Sequence, residues 1–240
     1  INHVVSQAGL LLIAIDLLGR QRIWPAMIGL FIATWTRQMC LLYAVPIAFV
    51  AWRQRRIGWL TGGLIVIVAP LLTLNYLKFG NAFDFGYRHI YVNRGDEEMG
   101  RRCLEHGVFS THFFLENLYY MHLAPPRLDI SPTELRLLET GTMGTSIWLT
   151  TPLCAWVMIA AARWWAHGPS RWLILGTLPV MAGLALYHSP GFLQSGYNRF
   201  ALDFLPIWLV VISPFTRGGW RTWVTLAMTA YSLLYFQQIQ

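Results

Sequence analysis

Arg199 and Asp203 stand four residues apart in Gly196-Tyr197-Asn198-Arg199-Phe200-Ala201-Leu202-Asp203, at the mouth of an apolar run. On an α-helix that spacing puts both side chains on one face. An acid that holds a guanidinium in one pose leaves the planar fork aimed at an anion, and phosphate fits that fork. The structural alternative is a pair that neutralises itself and orients its helix. Tyr197 stands two residues before Arg199 and is counted with Asp203 as a supporting residue. A second group follows at Lys78-Phe79-Gly80-Asn81-Ala82-Phe83-Asp84-Phe85-Gly86-Tyr87-Arg88. Here Lys78 is a further phosphate ligand, with Asp84 and Tyr87 shaping a sugar or lipid pocket; the alternative is an interfacial aromatic belt with a snorkelling Lys78. Arg37, in Thr34-Trp35-Thr36-Arg37-Gln38, is the only charged residue between Arg22 and Arg53. It is either an interface anchor or a second positive group at the same phosphate.

Other reactive side chains make weaker patterns. His106, His112 and His122 lie near Glu105 and Glu116, but no HExxH motif and no pair of histidines four apart is present. No metal ligand is assigned and no cofactor is called for; a divalent metal is compatible with these residues but not indicated. Asp96-Glu97-Glu98 reads as solvated surface rather than as a general base. His188, before Ser189-Pro190-Gly191, is a proton carrier or an ordinary interface residue. Cys40, Cys103 and Cys154 have neither disulfide nor zinc spacing.

The elements that must position these residues follow from composition. The chain has 240 residues, 55% hydrophobic and 12% charged, with a mean hydropathy of +0.45. That is too apolar for an ordinary soluble domain. The expectation is an all-α integral membrane protein with about seven to eight transmembrane helices. Apolar runs fall at about 4 to 18, 57 to 77, 146 to 162, 172 to 188, 200 to 215 and 222 to 238. The polar stretch 78–145 holds nine of the eleven acidic residues and reads as one extracytoplasmic insert in a single transmembrane domain, 1–240. Nucleic acid is excluded as a partner despite the net charge of +7, because the arginines are spread among the connections between apolar runs.

Charge also orders the topology. The connections 19–22, 53–56, 163–171 and 216–221 carry nine basic residues and read as cytoplasmic. Arg37, the insert and 189–199 then lie on the opposite side. Arg20 and Arg53 share a side only if Ile23 to Trp52 crosses an even number of times, so two short or re-entrant passes are expected there. A single tilted helix is the rival. Within the insert, 96–105 is a surface helix or a turn, and Phe109 to His122 is an aromatic-rich amphipathic segment ended by Pro125-Pro126. Ser131-Pro132-Thr133-Glu134 has the pattern of a helix start. The first residue is Ile1, and the chain reads as a fragment.

These motifs resemble a known family. Asn75-Tyr76-Leu77-Lys78-Phe79-Gly80-Asn81-Ala82-Phe83-Asp84-Phe85-Gly86-Tyr87, then Pro125-Pro126, then Gly196-Tyr197-Asn198-Arg199-Phe200 with Asp203-Phe204-Leu205-Pro206, are similar to the C-terminal half of bacterial polytopic glycosyltransferases of the GT-C superfamily, in the dolichyl-phosphate-mannose protein mannosyltransferase group. Thr36-Arg37 resembles the family's Thr-Arg(-Pro) element, with Gln38 in place of proline. The resemblance implies a multi-pass protein of the bacterial inner (cytoplasmic) membrane that takes sugar from a polyprenyl-phosphate donor. The acceptor is a glycan, lipid or protein on the non-cytoplasmic face. It implies donor-phosphate contacts from Arg199, Arg37 and Lys78. The family's catalytic carboxylate lies in an early outer loop that this fragment lacks, so no catalytic residue is assigned. Rival classes are a transporter or flippase of lipid-linked intermediates, which calls for an inverted repeat, and an O-antigen ligase or polymerase-like enzyme.

Overall fold

Apolar runs punctuated by proline and glycine give helices that start and stop often. The computed structural model describes residues 2–86, 89, 98–126, 144–189 and 199–238. Among them every regular element is helical, with one isolated bridge between Phe109 and Tyr187. The all-α expectation holds.

Helices α1 (Asn2–Leu18) and α2 (Trp24–Thr36) form a tight hairpin. A Cβ added at Gly9 would lie 2.5 Å from the Gly29 carbonyl oxygen, and one at Gly29 would lie 2.5 Å from the Gly9 carbonyl oxygen. Only residues without side chains allow two backbones this close. At the turn, the buried Asp16 carboxylate accepts the backbone N–H groups of Arg22 and Ile23, each at 3.0 Å. It thereby satisfies donors that the start of α2 leaves unpaired, and it holds Ile23 in the left-handed region at φ 72°. Asp16 is structural.

The stretch from Ile23 to Trp52 is broken at Arg37, whose backbone is extended at φ −146° and ψ 98°. A 3-10 turn, Gln38–Tyr43, and helix α3 (Ala44–Arg53) follow. The Gln54 amide donates to the Gln21 carbonyl at 2.8 Å, so the chain has returned to the end from which α2 set out. Two short antiparallel helical segments are therefore present, and the single 30-residue helix is not. Helix α4 (Ile57–Phe79) then leaves from that same end. Among the described residues it is the one helix long and apolar enough to cross a membrane by length and composition. Only 11% of its most apolar window is buried.

The insert contributes α5 (Glu98–His106), a 3-10 turn (Thr111–Phe113) and α6 (Phe114–His122). The run expected at 146 to 162 is not one helix. It is divided into α7 (Ile147–Thr150), a 3-10 turn (Pro152–Ala155), α8 (Trp156–Ile159) and α9 (Ala161–Ala166), because Pro152 has no N–H to continue the helical ladder. Helix α10 (Gly168–Ala185) follows. The run at 200 to 215 is divided likewise, into a 3-10 turn (Arg199–Asp203), α11 (Leu205–Ile212) and a 3-10 turn (Ser213–Phe215). Helix α12 (Trp220–Gln238) ends the described chain. The helix start expected at Ser131 lies outside the described residues.

Ring contacts show how the passes are arranged. Phe49 and Trp172 stack with centroids 3.9 Å apart, which puts the start of α10 beside the end of α3. Trp220 meets Trp156 at 5.9 Å, while Tyr235 bonds Thr145, so α12 runs against the α7–α8 pass. The connections 19–22, 53–56, 163–171 and 216–221 thus gather at one end of the helical bundle, the arginine end. Arg37, the insert helices and Arg199 gather at the other. Helix α1 lays one face on the core, where its Leu10, Ile13 and Leu17 belong to one buried cluster with Leu30, Tyr43, Ile47 and Phe204, and leaves Val4 and Ile15 exposed on the other. The outer faces of α4 and α12 leave Trp59, Val66, Leu77, Trp223 and Leu233 exposed.

Candidate anion-binding site

Helix α2 stops where its last turn closes on itself. The Thr36 hydroxyl donates to the carbonyls of Ile32 and Ala33, each at 3.0 Å, and the Arg37 N–H donates to Ala33 O at 2.8 Å. The extended backbone at Arg37 then turns its side chain across the bundle to the 3-10 turn Arg199–Asp203. Arg37 Nη2 meets Asp203 Oδ2 at 2.6 Å, and Nε lies 3.0 and 3.2 Å from Oδ1 and Oδ2. Asp203 is fully buried, and its carbonyl accepts from the Tyr43 hydroxyl at 2.9 Å. Residues 166 positions apart are locked into a forked ion pair.

This corrects the pairing expected from spacing. Residues 199–203 form a 3-10 turn, in which positions three apart eclipse, so positions four apart point about 120° away from one another. Asp203 therefore orients Arg37 and not Arg199. Arg199 lies with Cζ 5.1 Å from the centre of the Phe200 ring, which Arg37 also approaches at 4.9 Å. Its Nε is buried and has no hydrogen-bond acceptor among the described residues. His3, at the start of α1, sits close enough to feel Arg37, Asp203 and Arg199, and its buried Nδ1 also has no partner. Both carboxylate oxygens of Asp203 are engaged by Arg37. Among the described residues, two guanidiniums share one carboxylate here, and that carboxylate is taken by Arg37. A partly buried cation with an unfilled N–H is a site where an anion gains more than in water.

The insert closes over this corner. Asn117, on α6, donates its amide to the carbonyls of Leu184, Ala185 and Tyr187 at 3.3, 2.9 and 2.6 Å, tying the insert to the last turn of α10 and the residues that follow it. Ser110 N–H donates to Leu186 O, and His188 N–H to Val108 O. Tyr187, thus fixed, presents a ring at 5.4 Å and a T-shaped angle to Phe200. A chain of contacts therefore joins the insert to the two arginines. Beside the site a mainly apolar cavity of about 520 Å³ runs between Gln7, Leu11, Ala201, Leu202 and Phe236.

Lys78 and Asp84, also expected at the site, are not brought here. Trp35 Nε1 donates to Ile67 O at 3.2 Å, which sets the end of α2 beside the middle of α4. Lys78 is exposed eleven residues further along α4, roughly 16 Å at 1.5 Å per residue. It shares an end of the bundle with Arg37 and Arg199 but not their level. Asp84 accepts the Gly86 N–H at 2.7 Å and faces His89 Nε2 at 3.0 Å, closing a turn that begins with the left-handed Gly80. Tyr87 and Tyr197 lie outside the described residues. Glu116 pairs with Arg102, and the His106 and His112 rings stack at 3.9 Å. Among the described residues no three metal-ligating groups converge. Sequence reasoning passed over His3, Tyr187 and Asn117. The visible signal for His3 was a lone imidazole heading an apolar helix.

No protein-family model, curated protein or solved structure matches this chain.

Proposed function

We propose that the chain is part of a multi-pass membrane glycosyltransferase of the bacterial inner membrane, taking sugar from a polyprenyl-phosphate donor on the non-cytoplasmic face. The observation that carries it is Arg199: a guanidinium with a buried N–H that has no acceptor among the described residues, beside the Arg37–Asp203 pair and the insert. The apolar faces that α4 and α12 leave exposed support a bilayer around the bundle. The gathering of the four arginine-bearing connections at one end supports a cytoplasmic assignment for that end. A donor of this class keeps its lipid in the bilayer and its phosphate at the membrane surface. The cavity beside Leu202 and Phe236 suits the lipid, and Arg199 suits the phosphate.

In the transfer step the bond between the sugar's anomeric carbon and the phosphate oxygen breaks, and the acceptor oxygen takes its place. Negative charge grows on the departing lipid phosphate. Arg199 would bind that charge with the planar fork of its guanidinium, a contribution that increases toward the transition state. Arg37, with its charge already balanced by Asp203, acts as a positioning residue for Phe200 and the turn that carries Arg199. Asp203 is too fully engaged to take the acceptor's proton, so the general base is not assigned to it. Lys78 and Asp84 stand farther out, where the acceptor arrives from water. Arg199→Ala in the full-length protein should abolish sugar transfer from a polyprenyl-phosphate donor while leaving the fold intact. Unchanged turnover with normal donor affinity would overturn the assignment, as would movement of the donor across vesicles without transfer.

A further inference from the structure

A larger cavity lies away from this site. It is a groove of about 1070 Å³ between α2 and α4, open at the arginine end. Its walls are apolar: Trp24, Ile28 and Phe31 from α2, and Trp59 and Val66 from α4, all exposed. Gly58 and Gly62 widen it, since a Cβ at either would meet nothing within 4 Å. The Trp35–Ile67 hydrogen bond closes its inner end, and Gly63 packs on Met27 at its floor. Arg22 and Arg56 stand at the open mouth, both exposed and without an ion pair among the described residues. From Gly58 to Ile67 the groove follows nine residues of helix, about 14 Å. That is close to half of a hydrocarbon core of about 30 Å, the depth of one leaflet.

We propose that this groove binds an anionic phospholipid of the cytoplasmic leaflet, with its phosphate between Arg22 and Arg56 and an acyl chain against Trp24, Phe31, Gly62 and Val66. The inference rests on the membrane reading above and is independent of the transferase reading. An apolar slot with a cationic mouth matches an amphiphile that is anionic at one end only. A second copy of the chain fits worse, because a two-fold contact through this face would bring its arginines against one another. Basic residues at the cytoplasmic surface draw anionic lipid with roughly a fivefold gain in affinity each.

The test uses the full chain reconstituted in phosphatidylcholine vesicles, with spin-labelled phosphatidylglycerol or spin-labelled phosphatidylcholine as the probe. The immobilised fraction of each label gives their relative affinities. The wild-type chain should favour phosphatidylglycerol about tenfold or more, less so in high salt. Arg22→Gln and Arg56→Gln should each lose about fivefold of that preference. Gly62→Leu, whose Cβ would meet nothing within 4 Å and whose side chain would occupy the groove, should reduce immobilisation of both labels. Equal affinity for the two lipids, or a preference that survives all three variants, overturns the proposal. Dimerisation abolished by Gly62→Leu also overturns it, in favour of a second copy as occupant. Failure of the chain to float with the vesicles would instead remove the membrane reading itself.

Discussion

Arg37 and Arg199 look alike in the sequence and differ in what surrounds them. Arg37 is bonded to both oxygens of a fully buried carboxylate, whereas Arg199 has a buried Nε with no acceptor among the described residues. Removing one member of a buried ion pair leaves the other charge unbalanced, at roughly 3–5 kcal/mol. Asp203→Ala should therefore lower stability by about that amount, read as a fall in unfolding temperature. Arg199→Ala should leave unfolding within about 0.5 kcal/mol of the parent, because no partner is stranded. If both variants unfold alike, the division between a structural arginine and an anion-binding one fails. Spacing alone pointed to the wrong pair, because a separation of four carries different geometry in a 3-10 turn and in an α-helix.

Elements here are joined by few but specific contacts. The α1–α2 hairpin depends on two glycines, and each Cβ there would stand 2.5 Å from a backbone oxygen that cannot move aside. Gly29→Leu should separate the helices and cost at least about 1–3 kcal/mol; an unfolding temperature unchanged from wild type would show the hairpin to be looser than described. Asn117 holds the insert to the end of α10, so Asn117→Leu should remove the donor to the Ala185 carbonyl and its neighbours, at about 1–3 kcal/mol, and speed proteolysis within the insert. Acid should act in the same direction. Burial lowers the pKa of His122 on α6 below its ordinary 6.5. The unfolded chain then binds more protons than the folded one below that value, so stability is full above about pH 6.5 and declines as pH falls. A proteolysis rate in the insert that is flat from pH 7 to pH 5 would count against this.

Across the whole molecule, four arginine-bearing connections share one end of the bundle, and the insert shares the other end with Arg37 and Arg199. Cysteines placed at Arg55 and Glu98 should label from opposite sides of a sealed vesicle; labelling of both from one side would overturn the bilayer assignment of the two ends. Helical class and the break at Arg37 were legible in the sequence, since apolar runs and the charged connections between them report local preference and where the chain must turn. The interruptions in the passes at 146–162 and 200–215 were written there too, in Pro152 and Pro206, but run length alone concealed them. What local pattern could not carry was partnership. Asp203 binds a residue 166 positions away, Asn117 caps a helix nearly 70 residues distant, and Lys78 lies eleven residues of helix beyond Ile67, the part of α4 level with the end of α2. Such pairings depend on where the passes cross and at what depth. Packing between distant segments sets both, because burial of the apolar faces, and not the order of residues, chooses which polar groups must meet.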